Sequence, residues 1–225
     1  MKMNRLALAC GVAVLGFSSI AKAEISTNFG VTSNYVWRGL TQSDNSTSFS
    51  GGLDWSGETG LYAGAWIAEA WDDFELDLYG GYTGEVGDFG YDAGLIYYAY
   101  SSDAEANFAE VYVSGSWQFL SAGLSYAMAA EDAVEAVEED LYYYLGASFD
   151  LPQDFSIGLT VGFAEPDGDG DQDAEDYTHY QLDLTKATGD FGDLTLSLSD
   201  TDLDGTDAAG EDADMRFFVS WNKSI

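Results

Sequence analysis

The sequence predicts an all-β chain: an up-and-down antiparallel β-barrel of about twelve strands that crosses a membrane. Three observations predict it. Apolar and polar residues alternate with a period of two in segment after segment, long and short connections take turns between those segments, and 40 acidic residues stand against seven basic ones. Successive strand side chains point to opposite faces, so such alternation means a strand with a different medium on each side. High charge alone would also fit a disordered chain, but 15% aromatic and 46% hydrophobic residues argue for a folded one.

Residues 1–23 form the first element. Lys2 and Arg5 precede an apolar run from Leu6 to Ile20 and a small-x-small site at Ala21-Lys22-Ala23. This is the three-part pattern of a secretory leader, cleaved before Glu24, which leaves residues 24–225 as one barrel domain. A lipoprotein reading would use Cys10 as acceptor, but only four residues separate Cys10 from Arg5. Cleavage removes the single cysteine and so any disulfide framework. It also removes three basic residues, leaving four against the 40 acidic ones, a formal charge of about −36. Such a field repels nucleic acid and attracts cations.

The mature chain opens on 25–40, read as one long strand with Ile25, Phe29, Val31, Tyr35 and Trp37 toward the apolar side and Thr32, Asn34 and Arg38 toward the polar side. Further strands are read at 48–56, 61–68, 74–82, 91–100, 107–116, 120–127, 141–151, 155–163, 177–186, 193–199 and 213–225. The segment 74–82 is the cleanest, with Phe74, Leu76, Leu78 and Tyr82 opposed to Glu75, Asp77, Tyr79 and Gly81. Charge at every second position excludes a strand buried in apolar core on both sides.

The connections at 41–47, 69–73, 101–106, 128–140, 164–176 and 200–212 include the long ones, the last three of 13 residues each, and those at 56–60, 83–90, 117–119, 152–154 and 187–192 fall between them. The last three of the first group carry six, seven and six acidic residues, so nearly half of all carboxylates gather at one end of the molecule. An even strand number with short turns at one end and longer loops at the other is the pattern of an outer-membrane barrel. Closure leaves no sheet edge to be satisfied in lipid. Tyr and Trp suit the two membrane interfaces. A secreted β-sandwich also alternates, but it explains neither the loop rhythm nor a last strand running to the end of the chain.

The segments TSNYVWRGLTQSDN (32–45), FSGGLDW (49–55), GLYAGAW (60–66) and YDAGLIYYAY (91–100), with a looser match through AEVYVSGS and LYYYLGASF, carry a family likeness. On these residues the chain resembles the proteobacterial porin-type proteins often called the TorF family, also known as an uncharacterised Gcw-type family. The resemblance implies a leader-bearing outer-membrane β-barrel, and it implies architecture more firmly than activity. One departure is the end of the chain, Ile225 after Trp221, where outer-membrane barrels commonly have an aromatic residue.

Signs of covalent chemistry are sparse. The one histidine, His179, shares its strand face with Gln181 and Asp183, the setting of a wall residue rather than a catalytic triad. There is no phosphate-binding loop and no Cys/His cluster for zinc, so no enzyme activity and no cofactor is expected. The loop carrying Asp167, Asp169, Asp171 and Asp173 repeats carboxylates as calcium loops do. It departs from them in having Gln172 where glycine is needed and Thr178 where a bidentate Glu is needed, which leaves Ca²⁺ as one reading and a solvated acidic loop as the other.

Parity places Arg38, Asp54, Glu75, Asp77, Asp92, Glu110, Asp183, Asp214 and Arg216 on the polar faces of their strands, as pore-lining candidates. A basic side chain on the lipid face would cost about 2–4 kcal/mol near the midplane. Closing the barrel would bring Arg38 and Arg216 to the same seam. The expectation is an outer-membrane porin in contact with lipid, passing small hydrophilic solutes with preference for cations. The alternative is a non-conducting barrel whose acidic loops bind divalent cations, polysaccharide or a partner.

Overall fold

The structure is a computed structural model that describes residues 23–70, 73–101, 106–130, 140–166, 176–203 and 215–225. Twelve long strands run up and down in chain order: β1 (Glu24–Thr32), β4 (Ser48–Ser56), β5 (Leu61–Ala70), β6 (Asp73–Val86), β7 (Phe89–Tyr100), β8 (Phe108–Trp117), β9 (Leu120–Ala130), β10 (Leu141–Leu151), β11 (Phe155–Glu165), β12 (Tyr177–Ala187), β13 (Asp193–Thr201) and β14 (Arg216–Ser224). Two two-residue strands, β2 (Val36–Trp37) and β3 (Leu40–Thr41), pair with each other alone. Every long strand pairs with its neighbours, and β1 pairs with both β4 and β14, where Asn28 faces Gly52 on one side and Ser224 on the other. The sheet is therefore a closed antiparallel barrel, and no long strand presents an unpaired edge.

The alternation resolves into an apolar outside and a polar inside. Outward side chains remain exposed, among them Leu78 at 46%, Phe29 at 51% and Leu145 at 62%, with Leu53, Val113 and Leu159 alike. Inward positions hold Asp54, Glu75, Asp77, Glu110, Asp183, Ser197 and Arg216, all buried. This inverts the usual arrangement of a water-soluble domain and is what a barrel in lipid requires. Among the described residues no helix is long and apolar enough to cross a membrane, so any crossing is made by the strands.

Two readings of the sequence need correction. The first strand ends at Thr32, not Leu40, and 33–47 turns into the barrel instead of continuing its wall. The connection read at 83–90 shrinks to a tight turn at Gly87-Asp88, because the glycines around it are strand residues. Gly84 is one of them: a Cβ there would collide with the Tyr91 ring, which occupies the space.

Candidate functional site: a hairpin inside the barrel

The site is built by the segment that leaves β1. Asn34 anchors its base: its side-chain oxygen accepts from Thr41 Oγ1 at 2.6 Å and Ser43 Oγ at 3.2 Å. The Tyr35 backbone N–H donates to Ser43 Oγ at 2.9 Å. These bonds close β2 and β3 into a hairpin whose two-residue turn is Arg38-Gly39, with φ of 49° and 88°. Positive φ at both turn positions is the geometry that matches the twist of a short hairpin. Gly39 suits it for a second reason, since a Cβ would stand 2.6 Å from His179 Cβ and 2.8 Å from Thr201 Cγ2. Arg38 holds a left-handed conformation that a non-glycine residue adopts at some cost.

The hairpin reaches across the loop-side end of the barrel and touches most of its wall. Tyr35 packs with Ala68 and Ala70 of β5 and donates its hydroxyl to Glu75 Oε1 on β6 at 2.7 Å. Trp37 meets Tyr98 of β7 and Phe108 of β8, with ring centroids 6.0 and 6.5 Å away. Arg38 makes a two-pronged pair with Glu110 of β8, Nη1 to Oε1 at 2.8 Å and Nη2 to Oε2 at 2.7 Å. Its guanidinium is layered between two rings, 4.1 Å from Trp37 and 4.1 Å from Tyr142 of β10. At the tip, Arg216 Nη1 of β14 donates to the Gly39 carbonyl at 3.2 Å.

The electrostatics favour the docked hairpin. Burial works against the Arg38 charge, but Glu110 outweighs it, and the guanidinium holds its proton more firmly than an exposed arginine does. Burial, and next to it the Glu75 carboxylate, raise the Tyr35 phenol well above its ordinary value, so it stays a neutral donor. A planar fork matched to a carboxylate fixes direction as well as charge. The pairing of β8 with β9 shifts register at Ala109/Glu110, an irregularity beside the carboxylate that receives the fork.

Below the hairpin, toward the short turns, the predicted carboxylates sit in hydrogen-bonded networks. Asp54 accepts from Asn28 Nδ2 at 3.0 Å and from the Tyr79 hydroxyl. Asp92 accepts from Tyr62 at 2.6 Å, and Asp183 from Ser197 at 2.6 Å. Asp77 is buried beside Glu75 on β6, and its Oδ1 has no hydrogen-bond partner among the described residues. Asp214 and the calcium-loop candidates Asp167, Asp169, Asp171 and Asp173 lie outside the described residues. Among the described residues, no group of three or more His, Cys, Asp or Glu is placed to hold a metal ion.

Arg38 and Arg216 come to the same hairpin tip but turn to different partners. The structure brings Arg216 to the backbone at the hairpin tip and sends the Arg38 side chain to Glu110. Sequence reasoning missed Tyr35, Trp37, Gly39 and Tyr142 as parts of this assembly, and it placed Tyr35 and Trp37 toward lipid. The Arg38-Gly39 dipeptide after Ser33-Asn34 was the available signal, since those residue types favour turns.

A closed up-and-down barrel, apolar outside, polar within and narrowed by an inward hairpin, defines the class: a β-barrel of the outer-membrane type. Within that class the chain belongs to the Gcw_chp family, described as bacterial proteins of unknown function, whose sequence profile matches residues 18–222. The TorF label has no counterpart in that match. No curated protein sequence matches the chain. Among solved structures it is similar to the KdgM porin, with 10% identity, a TM-score of 0.59 and coverage of 87% of this chain and 98% of that one. It is also similar to the NanC porin, with 12% identity, a TM-score of 0.58 and coverage of 88% and 98%. Another KdgM structure, at 10% identity and TM-score 0.59, is a complex with disordered oligogalacturonate. At these identities the likeness carries the fold.

Proposed function

We propose that this chain is an outer-membrane, porin-like channel of the TorF type, exported by its leader, through which small hydrophilic solutes and cations diffuse passively. The observation that carries the reading is the charge of the interior. Five of the sequence-predicted carboxylates, Asp54, Glu75, Asp77, Glu110 and Asp183, are buried, Asp92 is half-buried and bonded to Tyr62, and of the two guanidiniums near them Arg38 is committed to Glu110. A lumen with that imbalance lowers the free energy of cations and raises that of anions. The KdgM complex holds oligogalacturonate, a chain of sugar acids. An acidic interior supports a different solute class here.

The hairpin supports a second reading, a non-conducting barrel whose acidic loops bind divalent cations, polysaccharide or a partner. Planar-bilayer recording separates the two. A channel gives discrete conductance steps and, across a KCl gradient, a reversal potential on the potassium side. Absence of steps from correctly folded, heat-modifiable protein defeats the channel, and a chloride-side reversal defeats the cation preference.

A further inference from the structure

Several interior tyrosines lie down on the wall instead of projecting into the bore. Tyr62 of β5 pairs across to Gly81 of β6, Gly81 to Gly94 of β7, and Gly94 to Tyr112 of β8, so four strands form one row. A Cβ at Gly81 would stand 2.7 Å from Tyr62 Cζ, and one at Gly94 would stand 2.7 Å from Tyr112 Cζ. The two rings therefore extend toward each other over the glycine backbone, and their hydroxyls meet in a hydrogen bond. One step toward the hairpin, Tyr79 does the same over Gly64, where a Cβ would lie 2.5 Å from two ring carbons and the hydroxyl. Each ring has one face on the backbone, and all three residues are only half-buried.

We propose that Tyr79, Tyr62 and Tyr112 form a sugar-binding floor just inside the hairpin, for oligosaccharides without acidic groups. A pyranose ring presents a face of C–H bonds that packs on a flat aromatic surface, while its edge hydroxyls need acceptors and donors beside that surface. An acceptor is present in Asp92, half-buried and bonded to Tyr62, while Asp54, bonded to Tyr79 and Asn28, is buried. Each carboxylate retains lone pairs beyond the bonds it accepts from the protein. Neither accepts from a basic side chain among the described residues, and the Arg38 guanidinium is taken by Glu110. A uronic acid would therefore meet like charge, while a neutral sugar gains hydrogen bonds and an amino sugar gains an ion pair as well. Tyr112 lies two residues along β8 from Glu110, about 7 Å at strand rise. A sugar passing the hairpin would reach the floor at once. The proposal deepens the channel reading and rests on it for the route of entry.

The test is sugar-induced blockade of ion current through the full-length barrel, with glucosamine tetramer, maltotetraose and oligogalacturonate as probes. The expected order of blockade is glucosamine tetramer first, maltotetraose second and oligogalacturonate last. Tyr62→Ala/Tyr112→Ala should reduce binding of the first two about tenfold or more. Tyr62→Phe/Tyr112→Phe should retain most of it. Tyr62→Leu/Tyr112→Leu refills the space over the glycines without a planar face, and it should lose binding even if the alanine pair fails to fold. Blockade by oligogalacturonate equal to the others, or leucine variants that bind as the parent does, would overturn the floor. If the parent passes no current, the channel reading fails by itself. The same sugars and variants, titrated calorimetrically in detergent, then decide the binding site separately.

Discussion

Strand β1 and the hairpin that follows it carry the same two-residue alternation, and they sit in opposite surroundings. In β1 the large apolar side chains face outward, with Ile25 70% and Phe29 51% exposed. In the hairpin the same parity turns inward, and Tyr35 is 8% exposed with its hydroxyl on Glu75. Alternation therefore reports that the two sides of a strand differ, without saying what lies on either. For β1 the two sides are an apolar exterior and a polar interior. For β2 and β3 they are different sectors of one polar, aromatic-lined interior.

The contrast can be broken most severely from the β1 side. Phe29→Arg places a guanidinium on the outward face, a change that costs about 2–4 kcal/mol near a bilayer midplane. The expected outcome is a large fall in the heat-modifiable, folded fraction. Replacing 34–45 by a short Gly-Ser turn should do the reverse. β1 keeps both of its ladders, to β4 and β14, so the barrel should still fold while single-channel conductance rises several-fold. If both changes abolished folding alike, the hairpin would be part of the wall and the distinction would collapse.

Most of the wall was legible in the sequence, because strand parity, glycine-rich turns and loop lengths are local. Phe74, Leu76 and Leu78 alternate against Glu75, Asp77 and Tyr79 whatever the rest of the chain does. The hairpin was not legible by period, since Thr32, Asn34 and Arg38 continue the polar parity of β1 with Val36 the one apolar residue among them. What moves the chain inward is a set of distant partners: Glu110, Tyr142, His179 and Arg216 lie far along the sequence from Arg38 and Gly39. The tyrosine row was equally hidden. Tyr62 and Tyr112 face each other over Gly81 and Gly94 only through the pairing register of four strands.

A milder change addresses the hairpin's hold without removing it. Arg38→Ala leaves Glu110, with a side chain 3% exposed, without its ion pair, and breaking a buried pair costs about 3–5 kcal/mol. That cost falls on the docked hairpin, because an undocked one lets water reach Glu110. Conductance should rise, by less than after loop replacement, and the cation-to-anion permeability ratio should rise with it as Glu110 is uncovered. Arg38→Lys keeps the charge and loses the fork and the stacking between Trp37 and Tyr142, so it should fall between parent and alanine. An unchanged permeability ratio in Arg38→Ala would mean that Glu110 does not face the ion path.

The smallest expected effect is at the base of the hairpin. Tyr35→Phe removes one hydroxyl and its 2.7 Å bond to Glu75, while the ring keeps its edge-on contact with Trp66 and its packing on Ala68 and Ala70. Glu75 also accepts from Tyr100, so it is not stranded, and the loss should stay near 1 kcal/mol. A melting temperature lowered by a few degrees with conductance near the parent's is the expected result. The asymmetry follows from chemistry. Arg38 is held by a charge that has nowhere else to go in the docked state, whereas Tyr35 is held mainly by apolar packing that phenylalanine reproduces. Conductance in Tyr35→Phe matching that of Arg38→Ala would move the hairpin's main attachment from its tip to its base.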